Sequence, residues 1–310
     1  RLSGLQSGFG MAALAGGGMT AAGVGITNGM MKIAGSTFET QDALAELKSL
    51  GITDLKAVED AARQFSDTWA GTTKADFITA AYDIKSGIAS LTDEGVAQFT
   101  ELAGLTAKAT KSTTGEMTSL FATGYGIYKG YYSELSDLEF GEMFAGGIAT
   151  AVKAYKTSGS EMASAISALG GTATSANVPL EEQLSVLGML QATMSGSEAA
   201  TKYKALLNAA TGAGEKLGLN FLDADKQLRS LPEILGILKS KYGDTIDAVE
   251  KKKIKEAFGS DEAVAVIDLL YGKTGELQTG ILDMYDALGG GSSAAQEMAT
   301  AINATESQKY

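Results

Sequence analysis

The chain has 310 residues, among them 39 glycines, two prolines, no histidine and no cysteine, and its net charge is −12. Without histidine or cysteine there is no imidazole base for neutral pH, no thiol nucleophile, no disulfide and none of the common zinc ligand sets. The acidic balance works against counterion-release affinity for DNA or RNA, and so much glycine with so little proline fits neither collagen nor a disordered tail.

The first residue is Arg, which reads as a fragment or a processed chain, and no secretory signal stands out. Residues 1–35 form a first unit. Between Arg1 and Lys32 no residue carries a charge, and Gly, Ala, Met and Thr dominate. Ala13, Gly17, Ala21, Gly25 and Gly29 fall four apart, the spacing that lets two helix backbones approach closely. Phe9–Thr27 is long enough to cross a bilayer as a helix, yet its strongly inserting residues are few: Leu5 just ahead of it, then Phe9, Leu14, Val24 and Ile26. The segment therefore has two readings, a membrane span or close self-packing inside an assembly.

Residues 36–290 read as successive helices. Ser36 with Glu39 has the spacing of a capping box, and Thr53 or Asp54 caps the next helix. Leu55, Val58, Ala62, Phe65 and Trp69 form one stripe of helical period; Phe77, Ala80, Ala81, Ile84 and Ile88 form another, opened by Thr73 and Asp76. A fourth helix begins near Thr92 and carries Val96, Phe99 and Leu102. The clearest helix is Asp137–Thr157, capped by Ser136 and Glu139. Its stripe is Phe140, Met143, Phe144, Gly147, Ile148, Ala151, Val152 and Tyr155. A mid-helix glycine costs about 1 kcal/mol against alanine, so Gly146 and Gly147 together predict another helix packed on that spot.

Pro179 suits the first turn of a helix over Leu180–Met194. Ser230, Pro232 and Glu233 open Glu233–Lys241, and further helices centre near Lys204, Val249, Val266 and Met284. Gly289–Gly291 breaks the pattern, and residues 291–310 hold a last short helix leading out of the fragment. No sustained alternation predicts a strand, although Gly218–Leu222 could be extended. The expected fold is all-α: an elongated array of amphipathic, small-residue-rich helices and helical hairpins without a sheet. Ala97-x6-Gly104-x-Thr106-Ala107 recurs as Ala163-x6-Gly170-x-Thr172-Ala173, and Glu116 and Ser119 then match Glu182 and Ser185. This reads as a duplicated hairpin with a Gly-Thr-Ala linker.

Sites of chemistry are not evident. Gly272-Lys273-Thr274 ends like a P-loop, but Ile267 stands where the cradle needs glycine. Asp223-x-Asp225 begins like a calcium loop, but Leu228 replaces the turn glycine and Ile234 the bidentate glutamate. Gly23-x-Gly25-x3-Gly29 has the wrong spacing for a dinucleotide fingerprint. Lys251, Lys252, Lys253 and Lys255 lie between Glu250 and Glu256, as on a solvated helix face. Trp69 and Tyr131–Tyr132 read as core or interface aromatics. No catalytic, cofactor or metal residue is assigned, and the chain is not expected to be an enzyme.

Lys156–Ala210, KTSGSEMASAISALGGTATSANVPLEEQLSVLGMLQATMSGSEAATKYKALLNAA, resembles the core region of phage tail tape measure proteins. Asp76–Gly87 (DFITAAYDIKSG) and Ala257–Leu270 (AFGSDEAVAVIDLL) resemble flanking segments of that family in the same order. The resemblance covers roughly residues 36–290. It implies a virion protein inside the tail tube that sets tail length during assembly and leaves at DNA ejection. Implied partners are further copies of itself as a homo-oligomer, the tail tube protein, baseplate components and tail assembly chaperones. Some members of the family are associated with passage through the host inner membrane, which the uncharged segment fits. No catalytic residue carries over, no cofactor is implied, and no specific nucleic-acid binding is expected. The alternative reading is a helical, membrane-active pore-former.

Overall fold

Side chains at the helix starts set most element boundaries. The computed structural model describes residues 38–307. Helix α1 (Phe38–Ser49) comes first, and the Ser36 cap expected for it lies outside the described residues. Asp54, of the two candidates, caps α2 (Leu55–Thr68) by accepting the Ala57 N–H at 2.9 Å. Thr53 instead donates its hydroxyl to Asp93. Reciprocal Thr73–Asp76 bonds open α3 (Lys74–Gly87), Thr92 caps α4 (Asp93–Thr110), and Thr113 with Glu116 opens α5 (Thr114–Tyr128). Ser136 and Glu139 box the start of α6 (Asp137–Tyr155), which stops two residues earlier than expected because Lys156 turns left-handed at φ 53°.

The second half continues as α7 (Gly159–Leu169), the single turn α8 (Thr172–Ser175), α9 (Leu180–Leu190) and α10 (Gly196–Leu217). Then come α11 (Leu231–Tyr242), α12 (Ala248–Phe258), α13 (Asp261–Leu270), α14 (Thr274–Gly289) and α15 (Ser293–Ser307). The fold is all-α, and no strand occurs among the described residues. Gly218–Leu222 leads into a tight loop whose one backbone bridge joins Leu222 to Leu228.

The Gly-Thr-Ala motif takes two conformations. Gly104, Thr106 and Ala107 are buried within α4, not in a linker, and Thr106 donates its hydroxyl to the Leu102 carbonyl. In the other copy Gly170 adopts φ +56° and ends α7. The first copy thus falls in one continuous helix that packs on α5, while α7 and α9 pack chiefly on other helices.

The core is continuous. Aromatic rings from α4, α5 and α6 interlock at its centre. Phe99 meets Phe121 edge-on at 6.3 Å, Phe121 meets Phe144 edge-on at 5.2 Å, and Phe140 stacks on Phe144 at 6.0 Å. Such pairs add about 0.5–1.5 kcal/mol each beyond their burial. Helix α6 also touches α9, α14 and α15, while α10 gathers α7, α12 and α13. Gly146 lies so close to the turn between α14 and α15 that a Cβ would overlap the Gly291 carbonyl oxygen; at Gly147 a Cβ would press on Leu288 and Leu184. Two glycines inside α6 are therefore what lets that turn seat. Helix α15 closes the chain onto α4 and α6. Lys108 pairs with Glu306 at 2.7 Å, and Asn303 accepts the Ala70 N–H at 3.0 Å while donating to the Thr68 carbonyl at 2.9 Å.

Candidate interaction surfaces

The α6 stripe lies inward. Phe140, Met143, Phe144, Gly147, Ile148, Ala151 and Val152 are buried, and Tyr155 is half-buried between α9 and α14, against Gly188 and Gly280. The row Phe9, Ala13, Leu14, Gly17, Ala21, Val24, Gly25, Ile26 and Gly29 lies outside the described residues. Among the described residues, no helix is long and apolar enough to cross a membrane.

The motifs that resemble ligand sites have structural roles here. The Asp223 carboxylate accepts the Asp225 and Gln227 N–H groups at 2.9 and 2.8 Å, which makes a turn of its own backbone. Tyr271–Lys273 is a 3-10 turn leading into α14 with no strand before it. Lys251 pairs with Asp268 at 2.8 Å and Lys255 with Asp261 at 2.7 Å. Among the described residues, no acidic cluster is placed to hold a metal ion.

A buried polar layer runs under the loop before α9. Pro179 occupies the N-cap of α9 and offers no N–H. Glu182, three residues on, therefore cannot close the reciprocal box that Glu116 makes with Thr113. Its carboxylate instead accepts the Leu231 N–H at 2.6 Å and satisfies the first turn of α11. Burial pushes the Glu182 carboxyl up to about 7, with Glu181 and Glu233 adding repulsion. Gln183 donates to the Val178 carbonyl at 2.8 Å and accepts from the Tyr128 hydroxyl at 3.3 Å. Tyr203 is fully buried near Glu182, and its hydroxyl has no hydrogen-bond partner. In the sequence Glu182 stands out only as the repeat match of Glu116; the signal for its role was proline at the position where a capping box needs a donor.

Above this layer is a groove of about 270 Å³. Tyr128, Tyr131 and Tyr132 form one wall, Val178–Leu180 the floor, and Tyr285 with Leu288 the far side. Glu134 and Glu181 stand at its edge. Tyr131 is 56% exposed, so it is not a core aromatic. Tyr132 is half-buried, and Trp69 is buried against Phe65. On α14, Leu277, Ile281, Met284 and Leu288 face inward, which leaves Leu282 and Tyr285 exposed off that stripe.

A second groove, of about 340 Å³, has the opposite sign. Lys216, Lys241 and Lys253 line it with Leu217, Tyr242 and Glu256. Lys241 donates to the Leu217 carbonyl and lies 5.6 Å from the Tyr242 ring centre. Val249 is 64% exposed and shares a face of α12 with Lys252, Lys253 and Glu256.

Closely packed helices, aromatic and charged grooves, and polar groups used for capping define an all-α helical protein. Residues 59–259 match the family described as phage-related minor tail protein, more than half of the chain, and the protein belongs to that family. No curated protein and no solved structure matches it. Membership gives it a structural role in a phage tail.

Proposed function

We propose that this protein is the core of a tape measure, the tail component that sets tube length during assembly and leaves with the DNA. The observation that carries this reading is the ordered set of three segments, Asp76–Gly87, Lys156–Ala210 and Ala257–Leu270, of which the first two lie within the minor-tail match over residues 59–259 and the third begins at its end. In this reading the protein lies inside the tail tube, associates with copies of itself, and meets tube, baseplate and chaperone proteins during assembly. The test is a series of in-frame deletions of whole helices in the complete gene. Tail length measured by electron microscopy is expected to shorten in step with the residues removed. Unchanged length across the series would overturn the reading.

A second reading is supported by the uncharged stretch between Arg1 and Lys32. We propose that this stretch acts at the host inner membrane after release. The purified chain is then expected to make liposomes leak, and Gly25→Leu or Gly29→Leu to reduce leakage by blocking close helix approach. Absence of leakage across lipid compositions and pH would remove the membrane role and leave the length-setting role standing.

A further inference from the structure

We propose that the tyrosine-lined groove receives the lysine-bearing face of α12 from a second copy of this chain, so that copies join head to tail. The inference deepens the assembly reading above and rests on it. Among the described residues the large exposed apolar side chains are Phe38, Tyr131, Val249, Leu282 and Tyr285. Two of them, Tyr131 and Tyr285, line the groove, and Leu282 stands one turn before Tyr285 on α14. Val249 stands on α12, on the face that carries Lys252 and Lys253.

The two surfaces are complementary in charge. Glu134 and Glu181 edge the tyrosine groove, and the Lys129 ammonium at that end of α5 is 3.5 Å from the Tyr132 carbonyl. On the other surface Lys216 and Lys253 have no carboxylate within ion-pair distance among the described residues, and Lys252 is 3.9 Å from Glu256. Three lysines lining one groove of a chain of net charge −12 make that groove a place for an acidic partner, with Glu256 the one carboxylate among its lining residues. Tyrosine faces add a second attraction for lysine, because the ring quadrupole favours a cation above it. Tyrosine also contributes large contact area at low entropic cost.

Both surfaces belong to the same chain but to different places on it: the turn after α5 with α14, and α12 with the end of α10. A contact between unlike surfaces leaves one of each unused after the first step, so further copies add until the rotation between neighbours closes a ring.

The test uses the full chain and sedimentation velocity. One variant, Tyr131→Ser with Tyr285→Ser, disables the groove; another, Val249→Ser with Lys253→Ser, disables the α12 face. The altered side chains are exposed, and circular dichroism checks that both variants keep the wild-type helix content. Wild-type chain is expected to form a concentration-dependent ladder, and each variant alone to associate at least tenfold more weakly. An equimolar mixture of the two is expected to give capped dimers, since one intact surface of each kind remains. A charge exchange gives an independent reading: Glu134→Lys and Lys253→Glu each weaken association, and combining both in one chain restores it. A wild-type chain that stays monomeric, variants that associate as the wild type does, or a mixture without capped dimers would overturn the contact. The tail-length series reads the assembly role separately, so failure of the contact leaves that role intact.

Discussion

Glu182 is a carboxyl group placed where its charge is costly. Its value lies near 7 in the folded chain against an ordinary carboxylate value near 4.5, so the folded state binds the proton more tightly than the unfolded chain. Linkage then gives the sign. The stabilising contribution is complete below the unfolded value and is lost as pH rises through about 7, a total of about 3 kcal/mol. Glu182→Gln keeps an oxygen to accept the Leu231 N–H and removes the charge. The variant is expected to melt several degrees above wild type at pH 8, and the two to converge near pH 5. Equal melting temperatures at both pH values would show that the carboxylate is not the group responsible. Asp93 has the opposite sign. The N–H of Asp54 leads the groups that hold its carboxyl below the usual range, with the hydroxyl and N–H of Thr53 and the Lys85 ammonium assisting and partial burial opposing them. Its contribution is present above the ordinary carboxylate range and is lost as pH falls through the lowered value. Hydroxyl and carboxylate caps were legible from spacing alone because they act within four residues. The Glu182–Leu231 bond was not, because its two ends lie 49 residues apart and meet only in the folded chain.

At the scale of elements, glycine has two distinct uses. At Gly146 the absent side chain is a contact: the α14–α15 turn occupies that space, and a Cβ would meet backbone, which cannot rotate away. At Gly212, in α10, a Cβ would meet nothing within 4 Å. Gly146→Ala is therefore expected to destabilise by about 1–3 kcal/mol or more through overpacking. Gly212→Ala is expected to stabilise by roughly 0.5–1 kcal/mol through its helix propensity and a less flexible unfolded chain. Urea titration of both variants checks the pair, and a similar effect of the same sign at both sites would refute the distinction. The stripe on α6 and the need for a neighbour at Gly146 and Gly147 could be read from period and propensity. Which helix supplies that neighbour could not, since α14 and α15 are more than a hundred residues away in sequence. The repeated Gly-Thr-Ala motif teaches the same lesson. Identical small residues continue α4 in one place and end α7 in the other, because the surrounding contacts decide whether glycine stays helical.

For the molecule as a whole, α15 acts as the closing element. It buries Ala295 and Ala299 completely and ties its C-terminal end to α4 and the turn after α2 through Glu306 and Asn303. Removing residues 292–310 is expected to lower Tm by more than about 5 °C, since apolar area on α4 and α6 returns to water. Hydrogen exchange should then quicken in the second half of α4, near Thr106 and Thr110. Unchanged protection there would mean that α15 is an appendage and not part of the core. The sequence by itself determined that this protein is helical, where several of its helices begin, and that it has no histidine or cysteine chemistry, because caps, periodicity and composition are local properties. Only the tertiary structure decided which glycines seat another backbone, that Glu182 serves α11, and that tyrosines and lysines gather in two grooves of opposite charge. Those depend on residues far apart in the chain coming within a few ångströms, a distance that no local pattern encodes.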